Sequence, residues 1–427
     1  MTTYLIVLLI ALLILISVLG EMVFRRFNIP DVLILIAFGI LLGPILHFVN
    51  VDVNSVIIAV FSVLALTIVM FDGGISLDLK EIIRNTPIGM KISIINFLIL
   101  LIIFTISYHI ANFFGFKFLD LQTLILLASI LGGTSGIVVI PLLNKLNIKE
   151  KVKNVLILES TITDALTIVV TSSLLLYFAS AKGNFSTIFK NIASSFSISI
   201  VLGLLFALLW ANFIDKFLHL KEIKNYKYLI ILSSLLIIYI ISSVLGASAA
   251  ITIFIFALIL GNLHHIRKAF EIQIKNKILS REIFLMNIQF SFLIKTFFFF
   301  LIGALVSLNI KTLIYSLILF FLVVLARFIS VLILFKKESL KEKLFITFFT
   351  PKGLAASILA IFVANSLHNK EIIGIVFDII FISIVVASLA AAIYNILNKK
   401  EEKINLELIS QENDKKETKE NKEMIAN

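Results

Sequence analysis

Apolar residues run through this chain in long blocks, separated by short polar stretches. The blocks fall at about 3–21, 30–49, 54–71, 90–113, 121–143, 155–179, 190–214, 227–245, 247–262, 286–308, 311–335, 343–366 and 371–397. Each is close to the length of roughly 17–25 residues that an α-helix needs to cross a hydrocarbon core. A backbone in lipid must satisfy its own N–H and C=O groups, so the blocks predict helices. The expected architecture is an all-α polytopic membrane protein with about 13 transmembrane helices. Only Gly246 separates the eighth and ninth blocks. After Asn398 the pattern stops, and the chain reads KKEEKINLELISQENDKKETKENKEMIAN. Residues 1–397 are therefore expected to form a transmembrane domain, and 398–427 a charged, disordered cytoplasmic tail. The first block, Tyr4 to Leu19, follows no basic region and no small-residue cleavage site, so it reads as a retained helix.

Composition agrees with the pattern. The chain has 427 residues, of which 60% are hydrophobic and 15% charged, and its mean hydropathy is +1.10. That excludes a soluble globular protein. There is no cysteine, so disulfides, thiolate metal sites and cysteine catalysis are excluded. The net charge of +11 has a topological meaning rather than a nucleic-acid one. Alternate loops carry the basic residues, among them Arg25 and Arg26, Lys149 and Lys151, Arg267 and Lys268, and Lys336 and Lys337. The other set has isolated cases such as Lys117, Lys182 and Lys311. By the positive-inside rule the first set is cytoplasmic. The N-terminus is then outside and the C-terminus inside, which requires an odd number of spans.

Two blocks are interrupted. The fifth contains LGGTSGIVVIPLL, with Gly132, Gly133, Thr134, Ser135, Gly136 and Pro141. The twelfth contains FFTPKGLAAS, with Thr350, Pro351, Lys352 and Gly353. Backbone groups freed by Gly and Pro need partners or a watery cavity at membrane depth. The two blocks lie seven apart and so run in opposite directions. Such a pair marks inverted repeats with two crossed broken helices and a binding site near the midplane. The alternative is that the small residues serve only close helix packing.

The sixth block carries LESTITDALTIV, residues 158–169, with two acids in apolar surroundings. Asp164 lies roughly 14 Å along the axis from Val155 at 1.5 Å per residue, near the middle of a core about 30 Å thick. An ionised carboxylate there costs on the order of 3 kcal/mol unless it meets water, a cation or a partner. An acid that takes up a proton and a cation in turn performs exchange, and Asp164 is the candidate. The alternative is an acid held by neighbouring hydroxyls. Lys295 and Arg327, in the tenth and eleventh blocks, lie at similar depth. The planar fork of Arg suits a permanent bridge, so Glu159 is expected to pair with Arg327 and Lys295 to stand near Asp164. Snorkelling to the surface is the alternative for Lys295. No His-Glu cluster, nucleophile elbow or phosphate loop is present, so no enzyme activity is expected. His264 and His265 read as surface residues, and Asp378 has no evident partner.

GGTSG in the fifth block, ESTITDA in the sixth, ARFISV in the eleventh and TPKGLAAS in the twelfth resemble the monovalent cation:proton antiporter family, the sodium/proton exchangers of NhaP-like type. MFDGGISLDLKEI, Met70 to Ile82, resembles the end of the family's third span. The resemblance covers about residues 1–397. It implies a core domain with two crossed broken helices that moves against a dimerisation domain. It makes Asp164 the ion- and proton-binding acid and the cation's ligand. Ser160, Thr134, Thr163 and Ser135 become supporting polar groups, Glu159 and Arg327 a structural pair, and Lys295 and Lys352 modulating charges. Thr163 stands where the family usually has Asn or Asp, and Ser135 where it often has an acid. The implied function is secondary active exchange of Na+, or alternatively K+ or Li+, for H+ at the cell membrane. A homodimer without cofactor, serving pH homeostasis, is implied too. One central acid favours electroneutral exchange, whereas a lysine in the tenth span resembles the electrogenic branch. The competing reading is a proton-coupled carrier of a small organic solute.

Overall fold

The computed structural model describes residues 3–27, 31–49, 56–76, 79–115, 119–179, 185–217, 226–263, 281–306 and 309–426. His264 and His265 lie outside them. Among the described residues the regular elements are helices. They are α1 (Thr3–Phe27), α2 (Asp31–Ile40), α3 (Val56–Ser76), α4 (Leu79–Phe113), α5 (Leu121–Leu131), α6 (Gly136–Leu143), α7 (Glu150–Ala179) and α8 (Phe185–Phe217). Then come α9 (Lys227–Val244), α10 (Ala249–Gly261), α11 (Arg281–Ala304), α12 (Ile310–Leu334), α13 (Leu340–Phe348), α14 (Leu354–Leu367) and α15 (Glu371–Ala426). They lie on the apolar blocks in order. The fifth block divides into α5 and α6, and the twelfth into α13 and α14. Eight helices among the described residues are long and apolar enough to cross a membrane, and five further apolar helices are shorter.

Local chemistry sets the boundaries. Asp120 caps α5 by accepting from the Thr123 N–H at 3.0 Å. Ser339 and Glu342 form a capping box at the start of α13. Gly246, at φ +73°, turns the chain between α9 and α10, a left-handed conformation that favours glycine. The end of α2 widens into a π-turn, Leu41–Ile45, around Pro44, whose ring has no N–H to donate.

The backbone of α15 continues as helix through Ala426.

The helices pack in two groups. α4 to α7 and α12 to α15 form one, in which α12 lies on α4 and α15, and α14 lies on α15 and α7. α1 to α3 and α8 to α11 form the other, in which α10 lies on α3 and α8, and α11 lies on α2. The second group is drawn together by small residues. A Cβ at Gly39 would collide with the Phe300 carbonyl, and one at Gly303 with the Ile36 carbonyl. α2 and α11 therefore cross backbone to backbone, the contact that small residues permit in membranes. The cleft between the two groups leads to Asp164.

Candidate functional site

The site is built where the broken helices cross. α5 ends at Leu131 and α6 begins at Gly136, and α13 ends at Phe348 and α14 begins at Leu354. The extended residues between them meet. The Ser135 N–H donates to the Pro351 carbonyl at 2.7 Å. Lys352 Nζ donates to the Gly133 carbonyl at 2.8 Å, and the Lys352 N–H donates to Ser383 Oγ at 2.8 Å. A Cβ on Gly353 would collide with the Ser135 side chain, so glycine is what lets the strands of the crossing touch. Backbone groups freed by the breaks thus find partners across the crossing, as membrane depth demands.

α7 presents Asp164 to this crossing. The Asp164 carboxylate accepts from the Gly136 N–H, at the start of α6. The positive end of the α6 dipole faces the acid, and the negative end of α5 faces the Lys352 ammonium. Asp164 is half-buried and forms part of the wall of a cavity of about 210 Å³ with Thr161, Asp72 and Lys295; Val69, Met70, Ile137 and Phe254 supply apolar wall. A second cavity of about 720 Å³, lined in part by Glu21, Asp31 and Ser291, shares Asp72, Ile137, Pro141 and Lys295 with the first. The two form a vestibule between the helix groups.

The hydroxyls named from the sequence have different surroundings. Thr163 Oγ1 accepts from the Thr134 N–H at 3.0 Å and donates to the Ser160 carbonyl at 3.3 Å, so it is already engaged. Ser160 Oγ donates to the Ile157 carbonyl at 2.8 Å and keeps its lone pairs. Ser135 is the N-cap residue of α6 and makes no side-chain capping bond. Thr134 Oγ1 is buried without a hydrogen-bond partner among the described residues, and so are Thr167 Oγ1 and Thr350 Oγ1. Buried hydroxyls without partners are rare; Thr134 and Thr350 lie in the two breaks and Thr167 lies against Gly133 in space, while Ser62, Thr67 and Ser242 lie elsewhere. Thr167 and Thr350 have no distinguishing sequence signal beyond a hydroxyl.

Behind the acid, Arg327 of α12 and Glu159 of α7 meet as a bidentate pair. Nη2 donates to Oε2 at 2.7 Å, and Nη1 donates to Oε1. Arg327 is 1% exposed and Glu159 0%. Arg327 Nε also donates to the Ile346 carbonyl of α13 at 3.2 Å, so one guanidinium ties three helices.

Lys295 lines the same cavity as Asp164 but pairs with another acid. Its partner is Asp72 of α3, with Nζ 3.3 Å from Oδ2, rather than Asp164. Asn287 Nδ2 donates to Asp72 Oδ1 at 2.9 Å, and Ser291 Oγ donates to Asp72 Oδ2 at 3.2 Å. Asn287, Ser291 and Lys295 are spaced by four and form one stripe along α11 that converges on Asp72 of α3. Depth along a helix fixes a residue's height but not its azimuth, and the azimuth selects Asp72. Sequence reasoning assigned Asp72 no role, although an acid inside MFDGG at the end of an apolar block was a signal of the same kind as Asp164. Asp378 of α15 accepts from Ser316 Oγ at 3.2 Å, a partner the sequence did not reveal.

The model for the transmembrane region of sodium/hydrogen exchangers matches residues 8–395. The chain belongs to the sodium/hydrogen exchanger family. It is a multi-pass membrane protein. It is 30% identical over 263 residues to the K(+)/H(+) antiporter NhaP2 of Shewanella baltica, a match that takes in 59% of this chain and 43% of that protein. The NhaP2 of Shewanella sp. strain ANA-3 is 31% identical over a stretch of the same length. The chain thus spans less than half the length of these relatives. The sodium proton antiporter MjNhaP1 of Methanocaldococcus jannaschii at pH 8 superposes with a TM-score of 0.71 at 21% identity, over 92% of this chain and 98% of that chain. The chain therefore has the fold of that protein.

Proposed function

We propose that this exchanger is a secondary antiporter that trades a monovalent alkali cation for protons by alternating access, with Asp164 as the group that holds either. The observation that carries the reading is the setting of Asp164. A half-buried carboxylate faces the vestibule beside two crossed breaks, with an N–H donor at its back and a lysine across the crossing. Protonated, it is neutral in an apolar wall; ionised, it needs a cation. The Ser160 and Thr134 hydroxyls can supply further oxygens, and Thr161 of the same cavity is better placed than the engaged Thr163. Glu159 and Arg327 hold α7, α12 and α13 in register behind it. The group α4–α7 with α12–α15 moves against the group α1–α3 with α8–α11, which forms the contact between two copies in a homodimer.

With Lys295 bound to Asp72, one acid serves the exchange, and one proton trades for one cation. Sodium is the first expected cation, and the NhaP2 and MjNhaP1 names make potassium and sodium the pair to compare. The basic loops face the cytoplasm of a cell membrane, with the N-terminus outside and the C-terminus inside.

The test is reconstitution in liposomes with a trapped pH dye and an imposed proton gradient. Na+, K+ and Li+ are added one at a time, then small organic solutes. Dissipation by an alkali cation is expected. Dissipation by organic solutes alone would overturn the reading.

A further inference from the structure

On the face of α13 and α15 away from the vestibule, a groove of about 680 Å³ opens to the outside of the molecule. Leu344, Phe348, Leu389 and Ile393 form its sides, and these four side chains are 41%, 41%, 56% and 57% exposed. At one end Lys341 Nζ lies 5.2 Å from the centre of the Tyr394 ring. Lys336 and Lys337 are exposed in the turn just before α13, and Lys343 donates to the Lys336 carbonyl at 3.3 Å. The groove is thus apolar along its length, with lysines at one mouth and Glu342, bound to Lys149, beside them.

Length decides what kind of molecule fits. The α13 wall from Leu340 to Phe348 is about 12 Å long, and the α15 wall from Val386 to Leu397 about 16 Å, at 1.5 Å per residue. That is about half of a hydrocarbon core of roughly 30 Å, or one leaflet. A helix of a second copy would need an apolar face running on through the other leaflet. A lysine and a tyrosine at the charged end mark the level of lipid headgroups. The negative surface of a leaflet draws such basic clusters.

We propose that this groove holds one anionic glycerophospholipid from the leaflet on the basic-loop side. Its acyl chain lies against Leu344, Phe348, Leu389 and Ile393, and its phosphate sits at Lys341. α13 is one half of the second broken helix, so the lipid braces the element that carries Thr350 to Gly353. The inference does not depend on which ion is exchanged.

The test uses the full chain in detergent, with the thermal midpoint measured after adding phosphatidylglycerol, phosphatidylcholine of the same chains, or inorganic phosphate. Phosphatidylglycerol is expected to raise the midpoint by several degrees, phosphatidylcholine by less, and phosphate not at all. Lys341→Gln should erase the preference for the anionic lipid, and Ala390→Trp, which fills the groove, should remove the response to both. Native mass spectrometry of the unaltered protein gives a second readout, a retained phosphatidylglycerol where phosphatidylcholine is stripped. Equal effects of the two lipids, or a preference that survives both substitutions, would overturn the proposal. So would Ala390→Trp splitting a dimer with the lipid response intact, which would make the groove a contact between copies.

Discussion

The ammonium of Lys352 is seated on the Gly133 carbonyl at 2.8 Å, so each broken helix satisfies the other. The cation comes from the break between α13 and α14, and the acceptor closes the end of α5. Lys352 is buried, at 1% exposure, and lies at the C-terminal end of α5, with the Arg327 guanidinium and the Glu159 and Asp164 carboxylates in its surroundings.

Lys352→Met should lower stability by about 1–3 kcal/mol, the cost of leaving a buried carbonyl without its donor. The thermal midpoint of the purified protein checks this. An unchanged midpoint would mean that water replaces the ammonium without loss.

Asp164→Asn should abolish exchange in the liposome assay and leave the midpoint close to that of the parent. The amide oxygen can still accept from the Gly136 N–H, so the local fold keeps its bond. It can neither take up the proton nor neutralise a cation. Exchange that persists in this variant would place the ion elsewhere.

Glu159→Ala and Arg327→Ala should each destabilise by about 3–5 kcal/mol, and the double substitution by less than the sum, because a single change strands a buried charge. A double-mutant cycle on thermal or denaturant midpoints measures the coupling. Additive losses would show that the pair contributes no mutual stabilisation.

Lys295→Gln acts on the vestibule instead. The Lys295 and Asp72 side chains are 24% and 27% exposed, so the pair is worth about 0–1 kcal/mol. Removing the cation leaves Asp72, Asp31 and Glu21 facing the cavities with less opposing charge. The apparent KM for the cation should fall at low ionic strength and return towards the parent value as salt screens the field. Solid-supported-membrane recordings should show no sustained current for the parent protein. A current that disappears in Lys295→Gln while exchange persists would show that Lys295 carries a proton.

At the basic-loop face, Lys149 lies 2.9 Å from Glu342 Oε1 and 3.2 Å from Glu338 Oε2. Burial acts to raise the Glu342 carboxyl, but its bonds with Lys149, Glu338 and the Ser339 N–H outweigh it and hold the group below its ordinary value. Stability from this bridge is therefore complete above the ordinary glutamate range and is lost as pH falls through the lower folded value. The midpoint difference between the parent and Glu342→Gln should be constant near neutral pH and close on acidification. A difference that grows with acidity would reverse the assignment.

Much of this architecture was legible because membrane helices announce themselves by length, and breaks by Gly and Pro in an apolar run. The contact of Glu159 with Arg327 is legible too, since two opposite charges at one depth have few other ways to be satisfied. Lys295 shows the limit. Its height matches both Asp72 and Asp164, and only the rotation of α11 about its axis chooses between them. The bond from Lys352 was out of reach for another reason, because its acceptor is a main-chain oxygen that no residue type advertises. The buried hydroxyls of Thr167 and Thr350 stay hidden in sequence because threonine is ordinary in such helices.

The link from the Ser135 N–H to the Pro351 carbonyl uses no side chain. Any residue but proline could donate at 135, and any residue at all could accept at 351. The crossing can therefore outlast changes in the amino acids that decorate it. The side chains around Asp164 can be exchanged one at a time without dismantling the scaffold that presents them. Main-chain fastening of this kind separates the chemistry of the site from the geometry that holds it.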